Sequence, residues 1–153
     1  MERIELTILK NLLFNEDYSR KVIPFIEPEY FDKRTEKIIF QEVVKFIVKY
    51  GSQITTEALS IEIEERVDVN ESEIKELREL ISNFSKSSVD SQWLLDTTEK
   101  WCRDRAIYLA LMESIHIADG KDDKKNRDAI PSILSDALAV SCFFWAFVLM
   151  SFR

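Results

Sequence analysis

Apolar residues recur along this chain three and four positions apart, and residues that end helices interrupt them at intervals. Ile4, Ile8, Leu9, Leu12 and Leu13 set the pattern, a spacing that gathers side chains on one helical face and suits no strand. It predicts a first helix from about Arg3 to Phe14, stopped at Asn15. A short second helix from Asp17 ends near Pro24, and Pro28 with Tyr30 and Phe31 forms a turn before Asp32, a candidate N-cap. The third helix, Lys33 to Tyr50, carries Ile39, Val43, Phe46, Ile47 and Tyr50 on more than one face, so it is expected to be packed on several sides. Gly51 closes it at the left-handed cap position.

Thr55 or Thr56 can cap a fourth helix running to Arg66, and Asn70-Glu71-Ser72-Glu73 has the character of a capping box for a fifth. In that fifth helix Ile74, Leu77, Ile81 and Phe84 mark a narrow stripe. The polar segment from Ser85 to Ser91 reads as a joint. After it comes the longest helix, about Ser91 to Ala118, ended by Asp119-Gly120. A charged loop from Lys121 to Arg127 leads to Pro131 in the first turn of a returning helix that holds Ile133, Leu134, Ala137 and Leu138. With two Gly and three Pro among 153 residues, strands bounded by turn clusters have little to be built from. The fold class expected is all-α: a compact bundle of about five helices over residues 1–88, then an αα-hairpin over 91–141.

Charge and motif content exclude several functions. A net charge of −7 argues against direct nucleic-acid binding, which rests on Lys and Arg neutralising phosphates. A Gly-x-x-x-x-Gly-Lys-Ser/Thr loop cannot be assembled from Gly51 and Gly120, so no ATPase site of that type is present. Cys102 and Cys142 form no Cys-x-x-Cys pair, and His116 has no companion at ligand spacing, so neither a metal nor another cofactor is expected in this chain. Glu62, Glu64, Glu65, Glu71, Glu73 and Glu76 alternate with Lys and Arg and read as solvated surface. No nucleophile, base and oxyanion donor come together, and no catalytic residue is assigned. The N-terminus places charges where a secretory signal needs an apolar core, which leaves the cytoplasm as the default compartment.

The long helix offers the one candidate site. Trp93, Trp101, Tyr108, Leu111, Met112 and Ile115 present more apolar surface than a short returning helix can cover, and Arg105 lies among them. Trp, Tyr, Met and Arg are the residue types enriched in interface cores. Together with Ile133, Leu134 and Leu138 on the returning helix, they are expected to bury against a second copy of the chain by isologous pairing. The alternative is that Trp93 and Trp101 pack on the five-helix body.

Several segments follow one another in a recognisable order. They are Ile8-Leu9-Lys10-Asn11-Leu12-Leu13-Phe14, Pro24-Phe25-Ile26-Glu27-Pro28-Glu29-Tyr30-Phe31, Trp93-Leu94-Leu95-Asp96-Thr97-Thr98-Glu99-Lys100-Trp101 with Arg103 and Arg105-Ala106, and Ala129-Ile130-Pro131-Ser132-Ile133-Leu134 with Ala137-Leu138. Over residues 4 to 141 this succession resembles the N-terminal domain of DnaB-type replicative helicases of large tailed phages. The resemblance implies a helical collar domain that assembles into a hexameric ring as a trimer of dimers through its hairpin and helps to recruit primase and a helicase loader. It also implies that a linker helix and a RecA-like ATPase domain, with ATP and Mg, belong to the full-length family and drive 5′ to 3′ unwinding.

The chain departs from that pattern after Ser141. Residues 142–153, Cys-Phe-Phe-Trp-Ala-Phe-Val-Leu-Met-Ser-Phe-Arg, are expected to be an aberrant hydrophobic tail, read as the product of a displaced frame or an interrupted gene, with the parent truncated before its ATPase domain. A membrane anchor is disfavoured, because the apolar run of about 15 residues falls short of the roughly 20 needed to span. Two other readings are a stand-alone helical adaptor protein and a small tail-anchored membrane protein.

Overall fold

The computed structural model describes residues 2–151, with side chains through residue 140; the side chains of the 142–153 tail therefore lie outside the described residues. The elements are α1 (Ile4–Phe14), α2 (Glu16–Val22), α3 (Arg34–Tyr50), α4 (Thr56–Glu64), α5 (Glu71–Ser82), α6 (Ser91–Ala118) and α7 (Ile130–Ser151), with single 3-10 turns at Ile23–Phe25, Pro28–Tyr30 and Arg127–Ala129. Among the described residues no strand is present, so the all-α expectation holds. The chain divides into two units, Met1–Ser91 and Gln92–Arg153.

In the first unit α3 is the hub. It packs against α1, α4, α5 and the Pro28–Tyr30 turn, while α1 meets α2 and α4 meets α5. Ile38, Ile39, Phe40 and Val43 of α3 are buried with Ile8, Leu9 and Leu12 of α1, Leu59 and Ile63 of α4, and Leu77 of α5. Each such side chain contributes on the order of 2 kcal/mol on leaving water. Phe31 is fully buried, and its ring lies 5.3 Å from that of Phe40, which fixes the turn before α3.

Helix ends follow local chemistry. Asn15 accepts from the Tyr18 amide at 3.1 Å to start α2, Thr55 accepts from the Ala58 amide at 3.1 Å to start α4, and Asn70 and Glu73 form a reciprocal capping box at α5. Gly51 closes α3 at φ +66, the left-handed conformation that costs glycine nothing. Asp32 does not cap α3. That helix starts one residue later, with Lys33 at the N-cap and no side-chain cap bond.

Charge enters this unit in two places that sequence spacing does not reveal. Glu36 and Glu42, both on α3, are buried. Arg3 donates to Glu36 at 2.5 Å and Arg66 to Glu42 at 3.0 Å, each across the packing of α3 on a neighbouring segment. Arg66 also holds Asp68, while Arg34 donates to Glu73 and to the Asp68 carbonyl, so the α4–α5 connection is strapped to α3.

Candidate interaction surface

The second unit consists of α6, its loop and α7. Asp119 and Gly120 end α6 as expected, with Gly120 at φ +71 and the Asp119 amide donating to Ile115 at 2.9 Å. The loop then folds back on the helix it left. Asp122 accepts from the Lys124 and Lys125 amides at 2.8 and 2.9 Å, Lys125 pairs with Glu113, and Arg127 donates to the Ala118 carbonyl at 3.2 Å. These bonds hold the Asp122 carboxyl below its ordinary range and raise the Lys125 ammonium. Asn126 accepts from the Asp128 amide at 3.0 Å, and Pro131 lies in the first turn of α7.

Along α6 two faces of opposite character emerge. At about 100° per residue, Tyr108, Leu111, Met112 and Ile115 fall within an arc of about 100°. Their side chains are between 47% and 55% exposed. Ala106, Ala110, Ser114 and Ile117 are buried and occupy an arc roughly opposite. Ser114 meets its hydroxyl's need within the helix by donating to the Ala110 carbonyl at 2.7 Å, so this buried line leaves that polar atom satisfied. Arg105 stacks over the Tyr108 ring at 4.8 Å, a cation–π contact at the N-terminal edge of the exposed stripe.

The other expected interface residues divide. Trp93 is half exposed but lies fifteen residues before Tyr108, about 22 Å along the helix. Trp101 is only 7% exposed in the single chain, in line with the alternative that it packs within the chain. It shares a face with Leu94, Thr98 and Cys102, all fully buried, because seven, three and one residue separate it from them and the first two spacings return to the same side of a helix. On α7, Leu138 is exposed while Ile133 and Leu134 are half-buried and Ala137 is buried. Burial also pushes the Cys102 thiol up to about 12, which leaves it protonated and inert.

No group of three His, Cys, Asp or Glu among the described residues could hold a metal ion. A cleft of about 250 Å³ beside α2 and the end of α3 is lined by Ile23, Pro24, Ile47 and Gly51 together with Ser19, Ser52 and Gln53, with the Glu16–Arg20 ion pair at its edge. No described helix is long and apolar enough to cross a membrane. The second unit presents an exposed apolar stripe on its long helix, Tyr108, Leu111, Met112 and Ile115.

Sequence comparison adds the decisive observation. Over 142 residues, 88% of this chain, it is 32% identical to the "DnaB-like replicative helicase" of Enterobacteria phage T4. The chain is similar to a replicative helicase. The resemblance read from the ordered segments is thereby confirmed, and it takes in both units, since 88% of the chain exceeds either one. The matched stretch spans 30% of that helicase's length. No family model matches the chain.

Proposed function

We propose that this chain is the N-terminal, collar-forming region of a DnaB-like replicative helicase of phage type, with a role in DNA replication as an oligomerisation module rather than a motor. The observation that carries the reading is the 32% identity extending over 88% of the chain. The exposed stripe of Tyr108, Leu111, Met112 and Ile115 supports it physically, since an apolar surface of this kind on a soluble helix marks a contact. In this reading α6 and α7 join copies of the chain into dimers within a hexameric ring, and the assembled collar recruits primase and a helicase loader. Unwinding, with ATP and Mg, belongs to the RecA-like domain of the full-length protein. The net charge of −7 fits a domain that does not itself grip DNA.

Sedimentation of the chain over a range of concentrations, beside Leu111→Glu, tests the assembly. Self-association in the unaltered chain and its loss in Leu111→Glu at unchanged helix content is the expected result. A monomer at every concentration overturns it. Reading the encoding nucleic acid downstream in all frames for a linker helix and a Gly-rich phosphate loop tests the helicase assignment separately, and a stand-alone adaptor is the reading that gains if none is found.

A further inference from the structure

We infer that the cleft beside α2 and the end of α3 is a binding site for a small apolar molecule that carries a primary ammonium group, of the size of an arylalkylamine. All its lining residues belong to the first unit, so the inference stands apart from the proposed assembly. Its volume of about 250 Å³ exceeds the roughly 150 Å³ of a dry apolar cavity that takes up benzene, which leaves room for one ring and a short arm. Ile23, Pro24 and Ile47 supply an apolar lining. At Gly51 even an added Cβ would meet nothing within 4 Å, so the cleft is open on that side. Water filling such a space finds few partners, and its displacement by an apolar group is favourable.

The polar groups select a donor, and a cationic one. The Leu12 carbonyl accepts from the Ser19 hydroxyl and from Gln53 Nε2, each at 2.7 Å, which fixes the nitrogen end of the Gln53 amide toward α1. Its other end, Oε1, is an acceptor that no donor among the described residues meets. Gly51 and Ser52 line the cleft where α3 ends, and the Gly51 amide takes the Ile47 carbonyl at 2.8 Å. The carbonyls of the last turn beyond it have no helical partners, and the negative pole they form favours a cation. Glu16 stands at the edge with Arg20 at 2.5 Å, a pair more than half exposed on both sides. So exposed a pair contributes little, and the carboxylate can share its charge with a second cation at small cost. An anionic ligand would find only Arg20 in its favour, with the helix pole and Gln53 Oε1 against it.

Titration of the full chain with phenethylamine, followed by amide NMR shifts, tests the site. Saturable shifts centred on Ser19, Ile23, Ile47, Gly51 and Gln53 are expected, with a Kd on the order of 1 mM for so small a ligand. Phenylpropionate, which presents a carboxylate on a similar ring and arm, should bind roughly ten-fold more weakly. Gln53→Met keeps the side chain's length, removes the acceptor and should weaken the amine about five-fold. Ile23→Phe fills the cleft from its lining and should abolish the shifts at unchanged helix content. Equal shifts from ethylamine, which has the charge without the ring, mean general attraction to an acidic chain and overturn the site. Equal affinity for phenylpropionate overturns the ammonium preference, and undiminished binding in a folded Ile23→Phe overturns the placement in this cleft.

Discussion

Arg66 Nη1 lies 3.0 Å from the Glu42 carboxylate, which is 4% exposed on the central helix of the first unit. Lys45 is the other cation near it, at 3.6 Å and mostly in solvent. Removing a buried ion's partner costs far more than the pair was worth, because the remaining charge stays out of water. Arg66→Met is therefore expected to destabilise the chain by on the order of 3 kcal/mol in urea unfolding. The double variant Arg66→Met with Glu42→Leu should recover most of that loss, and additive losses would show that the pair is not coupled.

Glu36 and Asp68, two of the carboxyls that depart from their ordinary range, act in opposite directions on pH dependence. Burial pushes the Glu36 carboxyl above its usual 4.5, with the Arg3 hydrogen bond offsetting only part of that. A raised carboxyl contributes stability below the unfolded value that is lost as pH climbs through the folded one. Asp68 runs the other way: the hydrogen bond from Arg66 holds it at about 2 against an ordinary 3.8, so its contribution is present above 3.8 and fades as pH falls toward 2. Thermal melts of the unaltered chain should show a decline as pH rises from about 4.5 that Glu36→Gln loses, and Asp68→Asn should lose the part of the acid-side decline between 3.8 and 2. An unchanged profile in Glu36→Gln would mean that the buried carboxyl is solvated in the folded chain.

Asn70 accepts from the Glu73 amide at 2.9 Å, and the Glu73 carboxylate accepts in return from the Asn70 amide at 3.0 Å. Asn70→Ala removes one half of this box and should cost about 1 kcal/mol by chemical denaturation, whereas Asn70→Ser should cost only a few tenths. Equal losses for the two would show that the cap bond carries no weight.

Most helix ends are legible in the sequence because they are chemical and local. Asn15, Gly51, Thr55, Asn70 and Gly120 act through their own side chain or its absence, within a turn of where they stand. Asp32 shows the margin of that reading, one residue early for a helix that Phe31 anchors from below. Glu36 and Glu42 were not legible: their partners Arg3 and Arg66 are 33 and 24 residues away, and nothing in a run of alternating charge marks which carboxylates turn inward. On the candidate surface the same limit separates two tryptophans. Periodicity puts Trp93 and Trp101 on one amphipathic helix, but only packing decides that the burial of Leu94, Thr98 and Cys102 takes Trp101 with it and leaves Trp93 half exposed.

Leu111 and Ile117 provide the sharpest test of how α6 divides its work, because six residues turn them to different sides of one helix. Ile117 is 3% exposed and Leu111 47%. Ile117→Ala opens a cavity in a packed face and should cost about 3 kcal/mol of stability. Leu111→Glu adds a charge where water already reaches and should leave the monomer's stability within about 0.5 kcal/mol. Under the proposed self-association its effect falls on assembly, where a carboxylate buried without a partner between copies should abolish association. Sedimentation and urea unfolding of both variants separate the roles: Ile117→Ala weakens folding with association retained at temperatures where it is folded, and Leu111→Glu does the reverse. Loss of folding in Leu111→Glu would place Leu111 in the monomer core and leave the stripe without its central residue.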